Sequence, residues 1–206
     1  MALQYVVQVL EVVPPRSVYL KTPSRRPMLL WTDAEYIEGR PIGMGYVLKE
    51  QLNPKPSEVV GAACTLSEEV FRQFLLKKQH IAQGEAFVPY VALYHETARI
   101  ANCDMIWFVD NIAAAVALIK GASTKEDIMM TTVAIHVLLT KHRIRVWIEY
   151  VESASNPSDG LSRDGVQDEW TIRQGWTLKQ VECPPFFSRQ TAAVDSLSDL
   201  LNVWES

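Results

Sequence analysis

Five short stretches of the chain are rich in apolar residues, many of them β-branched or aromatic, as is typical of strands. They cover residues 28–33, 42–48, 59–65, 105–109 and 145–151. The first three follow one another with short connections, which predicts an antiparallel meander. The fourth is followed without a linker by a helical pattern, so we expect its carboxyl end to lead directly into a helix.

Apolar residues at helical spacing predict four longer helices and a short one. They cover residues 67–79, 83–99, 112–120, 124–142 and 157–163. Ser67 fits the N-cap position of the first of these helices. The alternation of strands and helices predicts an α/β fold. Beyond Gly165 the pattern is irregular, apart from a short amphipathic helix expected at residues 194–204.

A carboxylate stands at four of the junctions between these elements. Asp33 ends the first strand, and Glu85 lies in the first turn of the helix at 83–99. Asp110 ends the fourth strand, and Asp159 opens the helix after the fifth. If the first and fourth strands are parallel neighbours, Asp33 and Asp110 point into one crevice, where open α/β sheets bind ligands. Clustered carboxylates repel one another, and divalent cations such as Mg²⁺ neutralise them.

Each acid also has a simpler explanation. Asp110 and Asn111 are both favoured N-cap residues for the helix that follows them. Glu85 would complement the helix dipole in a first turn. These explanations account for each acid alone but not for four at related junctions. We therefore expect the four to form one metal centre.

The composition is that of an ordinary globular chain. Its 206 residues are 48% hydrophobic and 21% charged, with a net charge of −4. There is thus no overall basic surface of the kind that marks many nucleic-acid-binding proteins, although basic residues gather near the start. Three cysteines without a CxxC pair predict a reducing, intracellular compartment, either cytoplasm or nucleus. We expect no membrane segment, because no central apolar run is long enough.

Three segments resemble the ribonuclease H domain of retroelement reverse transcriptases. They are residues 81–85, residues 106–121, and the strand at 147–151 followed by Asn156-Pro-Ser-Asp159-Gly-Leu-Ser-Arg163. The likeness covers about residues 28–165 and implies a ribonuclease H-like α/β fold with a five-stranded mixed sheet flanked by helices. Residues 1–27 and 166–206 would be extensions. The implied activity is metal-dependent cleavage of the RNA strand of an RNA–DNA hybrid.

Position by position, the resemblance assigns Asp33, Glu85, Asp110 and Asp159 as the metal-binding acids. They would hold two Mg²⁺ ions, for which Mn²⁺ can substitute. Asp33 would be shared by both ions, Glu85 and Asp110 would complete one site, and Asp159 would complete the other. Two such ions, about 3.5–4 Å apart, support phosphoryl transfer.

Contacts to the 2′-hydroxyl groups across the minor groove would select the RNA strand. The candidates for these contacts are the backbone around Gly43 and Gly45 and the side chains of Asn111 and Asn156. Glycines inside a strand often mark the close approach of a ligand or of another backbone. The sequence leaves both explanations open for this pair.

Two other functions stay open. Asp33-Ala-Glu35 is a DxE motif, as in proofreading exonucleases of the same superfold, although Ser155 stands where those enzymes place a Tyr or His. Alternatively, the domain is a noncatalytic scaffold inside a larger nucleic-acid machine. The aromatic, acidic tail from Trp170 to Trp204 would then dock on a reverse transcriptase domain or another protein. The loop at 152–158 also lacks the histidine that cellular members carry before the last acid.

Overall fold

The computed structural model describes residues 25–52, 54–77 and 80–186. The expectations for residues 1–24, for the end of a helix at residues 78–79 and for a helix at 194–204 lie outside these ranges. Within the described ranges, no helix is both long and apolar enough to cross a bilayer. Residues 25–184 form one structural unit.

A six-stranded mixed sheet runs through this unit. Its strands are β1 (Pro27–Glu35), β2 (Gly43–Glu50), β3 (Val60–Thr65), β4 (Asp104–Val109), β5 (Arg145–Tyr150) and β6 (Thr177–Gln180). Their spatial order is β5-β4-β1-β2-β3-β6. β2 is antiparallel to both β1 and β3, which confirms the predicted meander. β4 pairs in parallel with β1, and β5 pairs in parallel with β4.

Helices flank the sheet on both faces. They are α1 (Glu68–Phe71), α2 (Ile81–Ile100), α3 (Ile112–Lys120), α4 (Glu126–Lys141), α5 (Asp159–Arg163) and α6 (Glu169–Arg173). α2 packs on β1 and β2 and against α4. The alternation along β1 follows from this packing, since Met28 and Leu30 are buried whereas Trp31 is half-buried. α5 lies on the opposite face, where its Leu161 packs against Val47.

The expected count of five strands is wrong, because β6 adds a sixth strand in parallel beside β3. β6 has a weak apolar pattern, and contacts with the rest of the fold hold it in place. Lys179 forms an ion pair with Glu96 of α2, whose carboxylate is buried. The hydroxyl of Tyr46 donates to the same carboxylate over 2.7 Å. The sheet therefore continues into the segment expected to be a C-terminal extension.

The helix expected at 67–79 is also wrong in its length, because α1 ends at Phe71. Ser67 caps it as expected, accepting a hydrogen bond from Val70 N over 3.3 Å. The chain then turns toward α4, where Leu75 N donates to Asp127 Oδ2 over 3.1 Å. Lys77 Nζ lies 3.7 Å from the same oxygen. These contacts with a buried carboxylate draw the chain out of the helical path.

Candidate metal centre

The parallel pairing of β1 with β4 brings two of the predicted acids together. Thr32 of β1 is in register with Val109 of β4. The next residues, Asp33 and Asp110, therefore lie side by side at the edge of the sheet where β4 ends. Asp33 is still inside β1 and is only 5% exposed, which explains why its carboxylate has little contact with water.

α2 supplies the third acid. Gly84 lets this helix approach β1 closely, since a Cβ there would lie 3.1 Å from the Cβ of Ala34 and 2.9 Å from Ile42 Cγ2. The neighbouring Glu85 is thereby pressed against the strand, and its Oε1 accepts a hydrogen bond from Ala34 N over 3.3 Å. The position is set by helix packing on the sheet rather than by any local motif.

Asp33, Glu85 and Asp110 form the three-acid group. One carboxylate oxygen from each lies within 4.8 Å of the other two. Two buried oxygens near this point, Glu85 Oε2 and Asp110 Oδ1, have no hydrogen-bond partner. A buried carboxylate oxygen without a partner is costly, and hard oxygen ligands of this kind suit Mg²⁺. The residues therefore fit a divalent cation at the centre of the group.

The electrostatics of the three-acid group point the same way. Burial raises the pKa of Glu85 to about 9, and the carboxylates of Asp33 and Asp110 add to the rise. Burial also raises the pKa of Asp33 to about 7, against a hydrogen bond from Ser162 that lowers it. Without a cation, the group thus retains protons at neutral pH. A divalent cation would displace them and relieve the repulsion.

The structure separates the roles of Asp110 and Asn111. Asn111 is the N-cap of α3, and its Oδ1 accepts a hydrogen bond from Ala114 N over 3.0 Å. Asp110 is not needed for this purpose, and its Oδ1 stays without a partner. The capping explanation therefore holds for the amide but not for the carboxylate. A contact between Asn111 and substrate remains a prediction.

α5 approaches the sheet at the two glycines of β2. A Cβ on Gly45 would lie 2.6 Å from Ser162 N and 2.8 Å from Ser158 O, and one on Gly43 would overlap Ser162 O. The glycines are therefore required by the backbone of α5, one of the two explanations that the sequence left open. Their role as substrate contacts remains a prediction.

Ser162 connects this helix to the three-acid group. Its hydroxyl donates to Asp33 Oδ2, and it is buried. The contact of this serine with Asp33 was not predicted, because it spans 129 positions and depends on the close packing of α5 on β2. The neighbouring motif residues Asn156 to Arg163 were the only signal.

Asp159 lies next to the three-acid group but is not part of it. It is the first residue of α5, and burial together with the carboxylate of Asp110 raises its pKa, against the effect of Arg163. Asp159 in turn contributes to the raised pKa of Asp33. The structure thus brings three of the four predicted acids together and places the fourth within their electrostatic range.

Asn156 fixes the loop that precedes Asp159. It is 5% exposed, and its Nδ2 donates to Thr32 O over 3.0 Å. Its Oδ1 accepts from the backbone N and the hydroxyl of Ser158, over 3.2 and 2.6 Å. The side chain therefore ties this loop to β1 directly beside Asp33. The expected contact of Asn156 with substrate stays untested.

No protein-family model and no curated protein matches the sequence. Solved structures do match it. RNase H1 from the halophilic archaeon Halobacterium salinarum NRC-1 aligns with a TM-score of 0.54 at 18% identity, over 69% of this chain and 98% of that chain. This chain has a ribonuclease H-like fold.

Two further matches are weaker. LC11-RNase H1 in complex with RNA/DNA hybrid gives a TM-score of 0.49 at 11% identity, over 66% of this chain and 94% of that chain. The foamy viral protease-reverse transcriptase in complex with RNA/DNA hybrid gives 0.46 at 13% identity, over 74% of this chain and 22% of that chain. With TM-scores below 0.5, these two matches add no argument about fold or activity.

Proposed function

We propose that this protein is a metal-dependent endonuclease that cleaves the RNA strand of RNA–DNA hybrids. The observation that carries the proposal is the three-acid group, with the unpartnered buried oxygens of Glu85 and Asp110. Buried like charges in this arrangement are destabilising unless a cation neutralises them. These buried carboxylates do not stabilise the fold, so binding of a cation is the better explanation for their presence.

In this proposal, Asp33, Glu85 and Asp110 would hold one Mg²⁺ ion, and Asp33 with Asp159 would hold a second. When bound, the two ions would neutralise charge on the scissile phosphate and on the leaving oxygen. Ser162 donates to Asp33 Oδ2 and so holds that carboxylate in one orientation, with its other oxygen turned away from the serine. Asn156 holds the loop before Asp159 on β1, which limits how far the fourth acid can move.

Selection of the RNA strand would come from donors that reach its 2′-hydroxyl groups in the wide, shallow minor groove. Asn111 is suited to this, because its Oδ1 faces Ala114 N as the cap of α3 and its amide nitrogen can still donate. The backbone around Gly43 and Gly45 is the other candidate.

The exonuclease alternative is disfavoured by the position of Glu35. Its Oε1 lies 3.5 Å from Arg163 Nε, and among the described residues it is not a member of the three-acid group. Because Glu35 is paired with Arg163, Glu85 is the better third metal ligand beside Asp33 and Asp110. The noncatalytic scaffold has no observation that favours it over a nuclease.

The resemblance of residues 156–163 to the ribonuclease H domain of retroelement reverse transcriptases supports a retroelement origin. On α6, Trp170 and Ile172 are each 49% exposed, which suits contact of the C-terminal part with a reverse transcriptase domain. In a gel-filtration experiment with such a domain, co-elution that Trp170→Ala abolishes would support this contact. Separate elution of the wild-type chain would contradict it.

The test of the activity is cleavage of an RNA–DNA hybrid, with the RNA labelled, in Mg²⁺. We expect internal cuts in the RNA strand that disappear in Asp110→Asn. A matched control is Asp104→Asn at the other end of β4, where the carboxylate pairs with Arg145 at the surface; this variant should still cut.

Two other outcomes would contradict the proposal. Stepwise shortening from one end, without internal cuts, would favour an exonuclease. Absence of both cleavage and Mn²⁺ binding would favour a noncatalytic scaffold.

A further inference from the structure

Asp159 is held by an arginine on its own helix. Arg163 Nη2 lies 2.8 Å from Asp159 Oδ1, one turn away along α5. The same guanidinium reaches β1, where its Nε lies 3.5 Å from Glu35 Oε1. Glu35 stands two positions after Asp33 on the same strand, so it shares a sheet face with Asp33. Arg163 therefore bridges the element that carries the fourth acid and the strand that carries the first.

This bridge places a fixed positive charge beside a predicted metal ligand. Asp159 lies between opposite charges, because the guanidinium of Arg163 is 2.8 Å from its Oδ1 and the carboxylate of Asp110 is close enough to interact with it. The carboxylate can face the guanidinium or a cation near Asp33. A divalent cation that uses Asp159 must therefore compete with Arg163 for the same side chain.

The strength of the ion pair suits a reversible competition. The Arg163 side chain is 55% exposed and that of Asp159 29% exposed. Exposed pairs of this kind are weak, because solvent screens them. Such a pair can hold Asp159 away from the three-acid group, yet a cation can displace it without a rearrangement of α5.

We propose that Arg163 is a positioning residue that sets the affinity of the second cation site by holding Asp159 in an ion pair. Glu35 assists binding at that site, because it offers the guanidinium a second partner when Asp159 turns toward the cation. The inference rests on the proposed two-cation function. It adds that the two sites differ in affinity and that a charged side chain outside the ligand set fixes the difference.

The test is titration of the full chain with Mn²⁺, by calorimetry and by electron paramagnetic resonance, which count bound ions without any cleavage assay. We expect two sites in the wild-type protein, the second weaker than the first. Arg163→Gln should tighten the second site about two- to fivefold, the range that an exposed ion pair allows, and leave the first unchanged. Arg163→Lys, which keeps the charge, should lie closer to wild type.

Glu35→Gln should change the affinity of the second site in the opposite direction to Arg163→Gln. With its second partner removed, Arg163 should hold Asp159 more firmly and weaken the second site. In an Arg163→Gln background the same Glu35→Gln change should have no effect, since the two residues act through one another. The matched control is Arg173→Gln, which breaks an exposed pair of the same spacing with Glu169 on α6 and should leave both sites unchanged.

Two results would overturn the inference if the wild-type protein binds two ions. One is an Arg163→Gln variant with unchanged or weakened second-site affinity although its thermal unfolding matches wild type. Another is a Glu35→Gln effect of equal size in both backgrounds. A wild-type protein that binds no Mn²⁺ at all would overturn the proposed function itself. If wild type binds one ion, appearance of a second in Arg163→Gln supports the inference, and its failure to appear overturns it.

Discussion

Glu85→Gln should stabilise the protein at neutral pH when divalent cations are absent. Glu85 is 3% exposed, and its burial beside Asp33 and Asp110 makes the charged form unfavourable in the folded state. Glutamine has nearly the same shape and can still accept the hydrogen bond from Ala34 N through its side-chain oxygen. The substitution thus removes a charge problem without creating a cavity.

The size of the effect follows from the shift in pKa. The pKa of Glu85 rises from its ordinary value of 4.5 to about 9, so between these values the folded protein holds a proton that the unfolded chain releases. Stability therefore falls as pH rises through this window, by about 1.4 kcal/mol per pH unit. At pH 7 the wild-type protein should be less stable than the variant by about 3 kcal/mol, a difference of about 6–12 °C in Tm.

The assay is urea unfolding in EDTA at several pH values between 5 and 8.5. The stability difference between Glu85→Gln and wild type should be small at pH 5 and should widen as pH rises. Glu152→Gln, in an exposed loop, is the control and should show no such trend. In saturating Mg²⁺ the difference should nearly disappear, because a cation at 100 times its Kd contributes about 2.7 kcal/mol to the wild type. Equal stability of Glu85→Gln and wild type in EDTA at every pH would refute the reasoning.

Three further predictions concern the frame around the site, each measured by urea unfolding. Gly45→Ala should lower the free energy of unfolding by about 2 kcal/mol or more, because its Cβ would meet the backbone of α5. In the comparison variant Gly39→Ala the Cβ has open space but φ is +80°, so the loss should be only about 1 kcal/mol. Equal losses in the two variants would contradict the close approach of α5. Lys179→Met should lose about 3 kcal/mol by leaving the buried Glu96 carboxylate without its cation, and adding Glu96→Gln should recover part of this. Asn111→Ala should lose about 1 kcal/mol with its cap, whereas Asn111→Asp should not.

The fold could be predicted wherever an element buries a regular stripe of apolar side chains. α2, α3 and α4 and the strands β1 to β4 do so, and their predicted positions agree with the structure within a few residues. β5 was predicted from its alternation alone, and only Val146 and Ile148 of its apolar side chains are half-buried. β6 could not be predicted, because only Leu178 of its four residues is apolar. Its place is set by the ion pair of Lys179 with Glu96, a contact between positions far apart in the chain. The length of α1 was overestimated for the same reason, since the chain that follows it is held by a hydrogen bond from Leu75 N to the distant Asp127.

The site could be predicted from the junctions at which its acids stand. Asp33 and Asp110 meet because β1 and β4 are parallel neighbours, which is the condition on which their predicted meeting depended. The contacts around these acids could not be predicted from the sequence. Ser162 and Arg163 reach Asp33 and Glu35 only because two glycines let α5 lie directly on β2, and no periodic pattern records such a close approach.

The sixth strand decides where this molecule can be shortened. A fragment ending at Gly165 would contain all four acids, yet β3 would become an open edge with free backbone hydrogen-bonding groups, a surface prone to aggregation. In that fragment, Glu96 would also lose the Lys179 ammonium from its buried site. The nuclease-like part of the chain, if produced by itself, should therefore extend past Gln180.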